Sequence, residues 1–224
     1  MRTRSLALLC STLALGACGG FFESAVPAQQ AYVLRLPPRP TQTEVTKVAG
    51  TLRVQRPVSG PGLDSDRIVL LRSDRRFDVY AATRWAAPAP DIVASVLVDQ
   101  LRGASLFSSV LDDTAPYAPR YNLRCGLNRF EADYTGGGPA PTIEVVLDCT
   151  FGRYRDRTLL ANFTARGSAA ASDDRIGAVV AAFESATGKA LGELERNVAE
   201  ALATEKPAEE QPRTAPQAPA PGRS

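Results

Sequence analysis

Two cysteines that face each other across a glycine-rich loop constrain this chain more than any other feature. Residues 121–134 and 142–154 have the alternation of strands, and Thr135-Gly136-Gly137-Gly138-Pro139-Ala140-Pro141 between them has the composition of a hairpin loop. Pairing symmetric about Gly137 sets Cys125 opposite Cys149, because the two positions are equidistant from it. Side chains alternate between the faces of a strand, so Leu123, Cys125 and Leu127 share a face with Ile143, Val145, Leu147, Cys149 and Phe151. Both thiols then point toward a core, and a cross-strand disulfide is expected, stabilising by roughly 3 kcal/mol on the chain-entropy model. The alternation slips near Phe130, where a bulge would shift the register.

The segments around this hairpin supply the rest of a sheet and two helices. Residues 32–36 alternate and stop at Pro37-Pro38, and residues 51–55 form a second short strand. Residues 67–72 are an apolar run bounded by charge, as in a strand covered on both faces, and residues 77–80 close a hairpin with it. Pro88-Ala89-Pro90-Asp91 opens a helix whose stripe is Ile92, Val93, Val96, Leu97 and Leu101, with Gly103 at its end; a strand over residues 106–111 follows. After a strand over residues 158–165, Ser172-Asp173-Asp174 offer a cap to a helix with the stripe Ile176, Val180, Phe183, Ala190, Leu191, Leu194, Val198 and Leu202. Gly188 and Gly192 weaken its middle. The expectation is an α/β fold: a single compact domain over residues 31–204, with a mixed β-sheet, flanking helices and a long C-terminal helix.

The N-terminus has the parts of an export signal. Arg2 and Arg4 precede an apolar core over residues 6–15, and Leu15-Gly16-Ala17-Cys18 reads as a lipobox. The core is far shorter than the roughly 20 residues that span a bilayer. Residues 1–17 are therefore expected to be removed, Cys18 to carry lipid, and residues 18–30 to act as a tether. The competing reading is an ordinary secretory signal cut after Ala17. Several acyl chains give a lasting anchor where one does not. Residues 205–224, mostly Pro, Ala, Glu, Gln and Arg, are too poor in large apolar groups for a core and are expected to be disordered.

Composition excludes several kinds of chemistry. Loss of Arg2 and Arg4 with the signal leaves 24 basic residues against 24 acidic ones, which gives no general attraction to nucleic acid or anionic lipid. There is no histidine, hence no Ser-His or Cys-His pair and none of the commonest metal ligand. Cys10 leaves with the signal and Cys18 is acylated, so Cys125 and Cys149 alone cannot complete a zinc site. Asp64, Asp66, Asp112, Asp113, Glu131, Asp133, Asp173 and Asp174 come in close pairs that read as turn and cap residues rather than an acid–base couple. The triple glycine at 136–138 lacks the Lys and Ser or Thr of a phosphate loop. No catalytic, cofactor or metal residues are expected, and no enzyme.

With these pieces in order, the chain resembles the auxiliary lipoproteins of ABC-type lipid transport systems, similar to the paraquat-inducible protein C group. The matching residues are Leu15-Gly16-Ala17-Cys18, Tyr32-Val33-Leu34, Pro61-Gly62-Leu63-Asp64 before Arg67-Ile68-Val69, and Arg84-Trp85-Ala86 with Pro88. The chain departs from the family pattern at Ala87 and Ala89, where an acid and a leucine are frequent. The resemblance implies a diacylglyceryl thioether and a further acyl chain on Cys18, and a compact α/β domain at the outer membrane facing the periplasm. It also implies a non-enzymatic role with a substrate-binding protein of the mammalian-cell-entry (MCE) type, an inner-membrane permease and a cytoplasmic ATPase. A homo-oligomer stays open. Trp85 has two readings, an anchor of the helix start against the sheet, which is preferred, and a contact for a partner. A free-standing envelope scaffold and a lipid-binding module are the alternatives in function.

Overall fold

One long strand organises the sheet. In the computed structural model, which describes residues 28–37 and 48–205, β8 (Tyr121–Asp133) pairs along its whole length with β9 (Thr142–Arg153), and β9 pairs with β10 (Leu159–Ala170), all antiparallel. The other edge of β8 is shared by three strands in succession, each parallel to it: β2 (Val48–Val54), β3 (Val58–Ser59) and β4 (Val69–Leu71). β7 (Phe107–Leu111) extends the sheet beyond β2, and β5 (Phe77–Val79) forms a hairpin with β4. β1 (Gln30–Tyr32) and β6 (Thr83–Trp85) make a separate parallel pair. The first strand is shorter than residues 32–36 suggest, because Leu34 leaves the pairing to enter the core.

Cys125 lies opposite Cys149 and the two are joined by a disulfide. Symmetry about Gly137 holds from Tyr121 to Leu127; a register shift between Leu127 and Arg129 then sets Arg129 opposite Val146. The shift follows the side chains. Leu127 and Phe130 are both buried three positions apart, which strict alternation does not allow, so one residue must be skipped.

Both helices cover one face of the sheet. α1 (Ala89–Gly103) packs on β7 and β2, and α2 (Ile176–Thr204) on β10 and β9. α2 runs unbroken through Gly188 and Gly192 because its stripe of Val179, Phe183, Ala186, Ala190, Leu194 and Val198 is buried, and packing outweighs propensity. Its expected cap is absent: Arg175 holds the cap position without a side-chain bond, and Asp173 accepts from the Arg175 backbone N–H and guanidinium instead.

α2 also closes the edge of the sheet. The Arg166 N–H donates to Glu193, and Lys189 donates to the Ser168 carbonyl, both at 2.7 Å, so one helical turn satisfies two groups on the outer side of β10. The helix comes this close because residue 167 is glycine; a Cβ there would stand 1.9 Å from the Ala186 carbonyl oxygen. The opposite face of the sheet carries no helix among the described residues and presents polar side chains such as Arg124, Asp148, Thr150, Arg166 and Ser168.

Candidate functional site

The polar face of the sheet ends in an open groove of about 1730 Å³ where β8 begins and β9 turns into β10. Arg124 and Thr150 are cross-strand partners one position from the disulfide pair, and both project outward because Cys125 and Cys149 project inward. Gly152 lets the following turn fold back over the strand end, since a Cβ would sit 2.5 Å from the Thr158 carbonyl oxygen. Asp156 accepts from the Thr158 N–H and pairs with Arg153 at 2.7 Å, and Arg157 takes a left-handed φ of 56° to complete the turn. The Arg53 guanidinium donates to the carbonyls of Ala115 and Tyr117 and lies over the Tyr154 ring, which fixes the facing loop.

Five arginines line this groove, at 120, 124, 153, 155 and 157, against a single acid, Asp156. Arg153 is committed to the fold. It pairs with Asp156 and reaches Glu205 at the end of α2, and the Asp156 bond is the main reason its pKa is raised. Tyr121 donates to the same Glu205 at 2.7 Å; burial, then that bond, pushes its hydroxyl up to about 12. Among the described residues, the guanidinium groups of Arg124, Arg155 and Arg157 have no acidic partner. Two exposed apolar side chains line the groove as well, Leu159 at 61% and Tyr154 at 47% exposure.

The residues singled out from the sequence lie elsewhere. Cys18, the signal and most of the tether fall outside the described residues, as does the tail from residue 206. Trp85 is 1% exposed, packed against Phe130 of β8 and edge-on to Phe183 of α2, so its ring is part of the core. A large ring between a strand and two elements of the core is held there by its burial. The other short motifs converge on the same junction. The Ala86 N–H donates to Tyr32, the Ala89 N–H to Ser65, and Arg56 pairs with Asp64 and with Asp91 in the first turn of α1. Arg84 pairs with Asp66 at 3.4 Å.

The paired carboxylates are spent in the same way. Glu131 and Asp133 hold Arg129 at 2.8 and 2.9 Å, Asp112 binds Thr114, and Asp113 accepts from the Arg56 N–H. Burial works against ionisation of Asp133, but bonds from Thr135 and Arg129 outweigh it and leave its pKa below the ordinary value. No group of three potential metal ligands occurs among the described residues. The sequence signal for the groove is the run Arg153-Tyr154-Arg155-Asp156-Arg157, together with Arg124 on the outer face of β8 and Arg120 just before that strand.

A family model described as the ABC-type transport auxiliary lipoprotein component matches residues 32–199. The chain belongs to this family. The match takes in both helices, the long strands, the Trp85 junction and the groove. Among solved structures, a protein from Xanthomonas campestris assigned to the DUF330 family is 25% identical, with a TM-score of 0.67 over 79% of this chain and 98% of that one. A structure of an uncharacterized protein is 17% identical, with a TM-score of 0.55 over 78% of this chain and 99% of that one, and speaks for the fold alone. A comparison with curated proteins finds no match. The auxiliary lipoprotein is therefore defined by its α/β domain and by its association with ABC-type transport, and its family ties it to the cell envelope.

Proposed function

We propose that this auxiliary lipoprotein is a non-enzymatic subunit held in the outer membrane by acyl chains on Cys18. Residues 1–17 are its removed signal, residues 18–30 its tether, residues 31–204 its periplasmic domain and residues 205–224 a tail without a core. In the periplasm it binds the MCE-type substrate-binding protein of a system whose permease and ATPase move phospholipid or another hydrophobic cargo. The observation that carries this reading is the family match from residue 32, directly downstream of Leu15-Gly16-Ala17-Cys18. The Cys125–Cys149 disulfide suits an oxidising compartment. The non-enzymatic part rests on the family's description as auxiliary and on a sequence without histidine, in which the paired carboxylates Asp64, Asp66, Asp112, Asp113, Glu131, Asp133 and Asp173 are held in turns and ion pairs.

The test is complementation of a deletion strain, scored by sensitivity to membrane-active compounds and by fractionation of the protein. The wild-type chain restores resistance and fractionates with the outer membrane, whereas Cys18→Ala yields a folded periplasmic domain without transport. Full complementation by Cys18→Ala, or a wild-type chain found in the inner membrane, would overturn the anchoring part. A system whose MCE-type protein never co-purifies with the lipoprotein after cross-linking would overturn the partner.

A further inference from the structure

We propose that the arginine groove docks an acidic segment of a partner protein, with carboxylates on Arg124, Arg155 and Arg157 and apolar groups against Tyr154 and Leu159. The inference deepens the reading of the chain as a partner-binding subunit and rests on it.

Charge is the first argument. Elsewhere on the domain several arginines are matched with acids: Arg56 with Asp64 and Asp91, Arg72 with Asp78, Arg84 with Asp66, Arg129 with Glu131 and Asp133. At the groove, three guanidinium groups without acidic partners among the described residues share one concave surface. Like charges held together repel, and an acidic ligand removes that repulsion. The cations are all arginine, whose planar fork takes a carboxylate through two parallel bonds, where lysine would act as a point charge.

Shape and stiffness are the second. Pockets for small ligands enclose about 300–1,000 Å³. This groove is larger, open along one side and lined by the exposed Tyr154 and Leu159, and tyrosine and arginine are the residues that dominate protein interfaces. Its floor is rigid. The disulfide locks the strand pair beneath Arg124, and Asp156, Gly152 and the stacked Arg53 fix the turn that carries Arg155 and Arg157. Little ordering cost remains for binding.

Position decides between a protein and the anchoring membrane. Gln30 bonds to Ala82, and Tyr80 bonds to Tyr134 just past the end of β8, so the chain enters the domain at the end opposite the groove. β8 spans about 40 Å at ~3.3 Å per residue. The residues from Cys18 to Gln30, fully stretched at ~3.3–3.6 Å each, only just equal that length. The groove thus lies at the end of the domain remote from the tether, where a partner in the periplasm can reach it.

The test uses the full mature chain in detergent and three probes: an oligoglutamate peptide, an oligolysine peptide of equal length, and vesicles of phosphatidylcholine with phosphatidylglycerol. Oligoglutamate binds, oligolysine does not, and binding weakens at least tenfold in Arg124→Glu/Arg155→Glu and as salt rises, while Arg67→Glu, away from the groove, has no effect. The double variant keeps the thermal midpoint of the wild type, since neither side chain bonds to the fold. In cells it stays membrane-bound at normal abundance yet fails to complement. Vesicle binding stronger than peptide binding, self-association that depends on these arginines, or full complementation by the double variant would each overturn the proposal. The peptide assay does not depend on acylation, so its failure is separable from that of the Cys18→Ala experiment.

Discussion

Gly167→Ala is the sharpest test of how the domain is held together. The new Cβ would meet the Ala186 carbonyl oxygen at 1.9 Å and the Ala190 backbone nitrogen at 2.6 Å, where ordinary contact begins at 3.4 Å. Both obstacles are helix backbone, so no side chain can swing aside, and α2 must move from β10 by about 1.5 Å. That motion stretches the Glu193–Arg166 and Lys189–Ser168 bonds, each 2.7 Å, past hydrogen-bonding distance. Overpacking costs about 1–3 kcal/mol. The two bonds, exposed but charge-assisted, add about 1 kcal/mol each. A loss of about 3–5 kcal/mol is expected, a large part of the ~5–15 kcal/mol that holds a domain of this kind together. At ~2–4 °C per kcal/mol it lowers the thermal midpoint by about 10 °C. Urea unfolding of the oxidised mature chain measures the loss. Gly177→Ala, in the first turn of α2 with nothing within 4 Å, is the control and should stabilise by ~0.5–1 kcal/mol. A Gly167→Ala variant within ~0.5 kcal/mol of wild type would refute the close approach of helix and strand.

Three further expectations follow from the same contacts. The double variant Cys125→Ser/Cys149→Ser, or reduction of the wild type, should cost roughly 3 kcal/mol in the same unfolding assay, as expected for a loop closed over a sequence separation of 24. Tyr121 has a folded pKa of about 12 against 10.0 in the open chain, so its contribution is complete below pH 10 and is lost as pH rises toward 12. Alkaline titration of stability should therefore fall less steeply in Tyr121→Phe, and equal slopes would argue against the buried bond to Glu205. Arg56→Ala should cost about 1–2 kcal/mol and speed hydrogen exchange in the loop before β4, because it releases both Asp64 and Asp91; unchanged exchange would mean the ion pairs are ornamental.

Much of the fold was legible because its information is local. The period of two in residues 121–127 and 142–151, with a glycine loop between them, determines that Cys125 meets Cys149 whatever surrounds the hairpin. The stripes of both helices are equally local, and the signal at residues 1–18 is a linear pattern read without any fold. Short strands were harder. Residues 32–36 look like a sheet strand, yet only Gln30–Tyr32 pair, and they pair with β6 away from the main sheet. Which of β2, β3 and β4 takes which stretch of β8 depends on chain closure, which no periodicity encodes. Trp85 had two readings from sequence; in the structure its ring is buried against Phe130 and Phe183, a placement that only the tertiary packing gives.

The arginine groove belongs wholly to tertiary structure. The sequence carries 26 basic and 24 acidic residues, close to balance, and a sum over it is blind to where they stand. Folding pairs many of the charges in ion pairs that hold loops and helix entries. It leaves Arg124, near the start of one strand, beside Arg155 and Arg157, on a turn some thirty residues later, because β9 returns antiparallel along β8. What the sequence by itself determined was the hairpin and the helices, each written in neighbouring residues; what the tertiary structure decided was the concentration of unpaired charge, because that depends on distance in space.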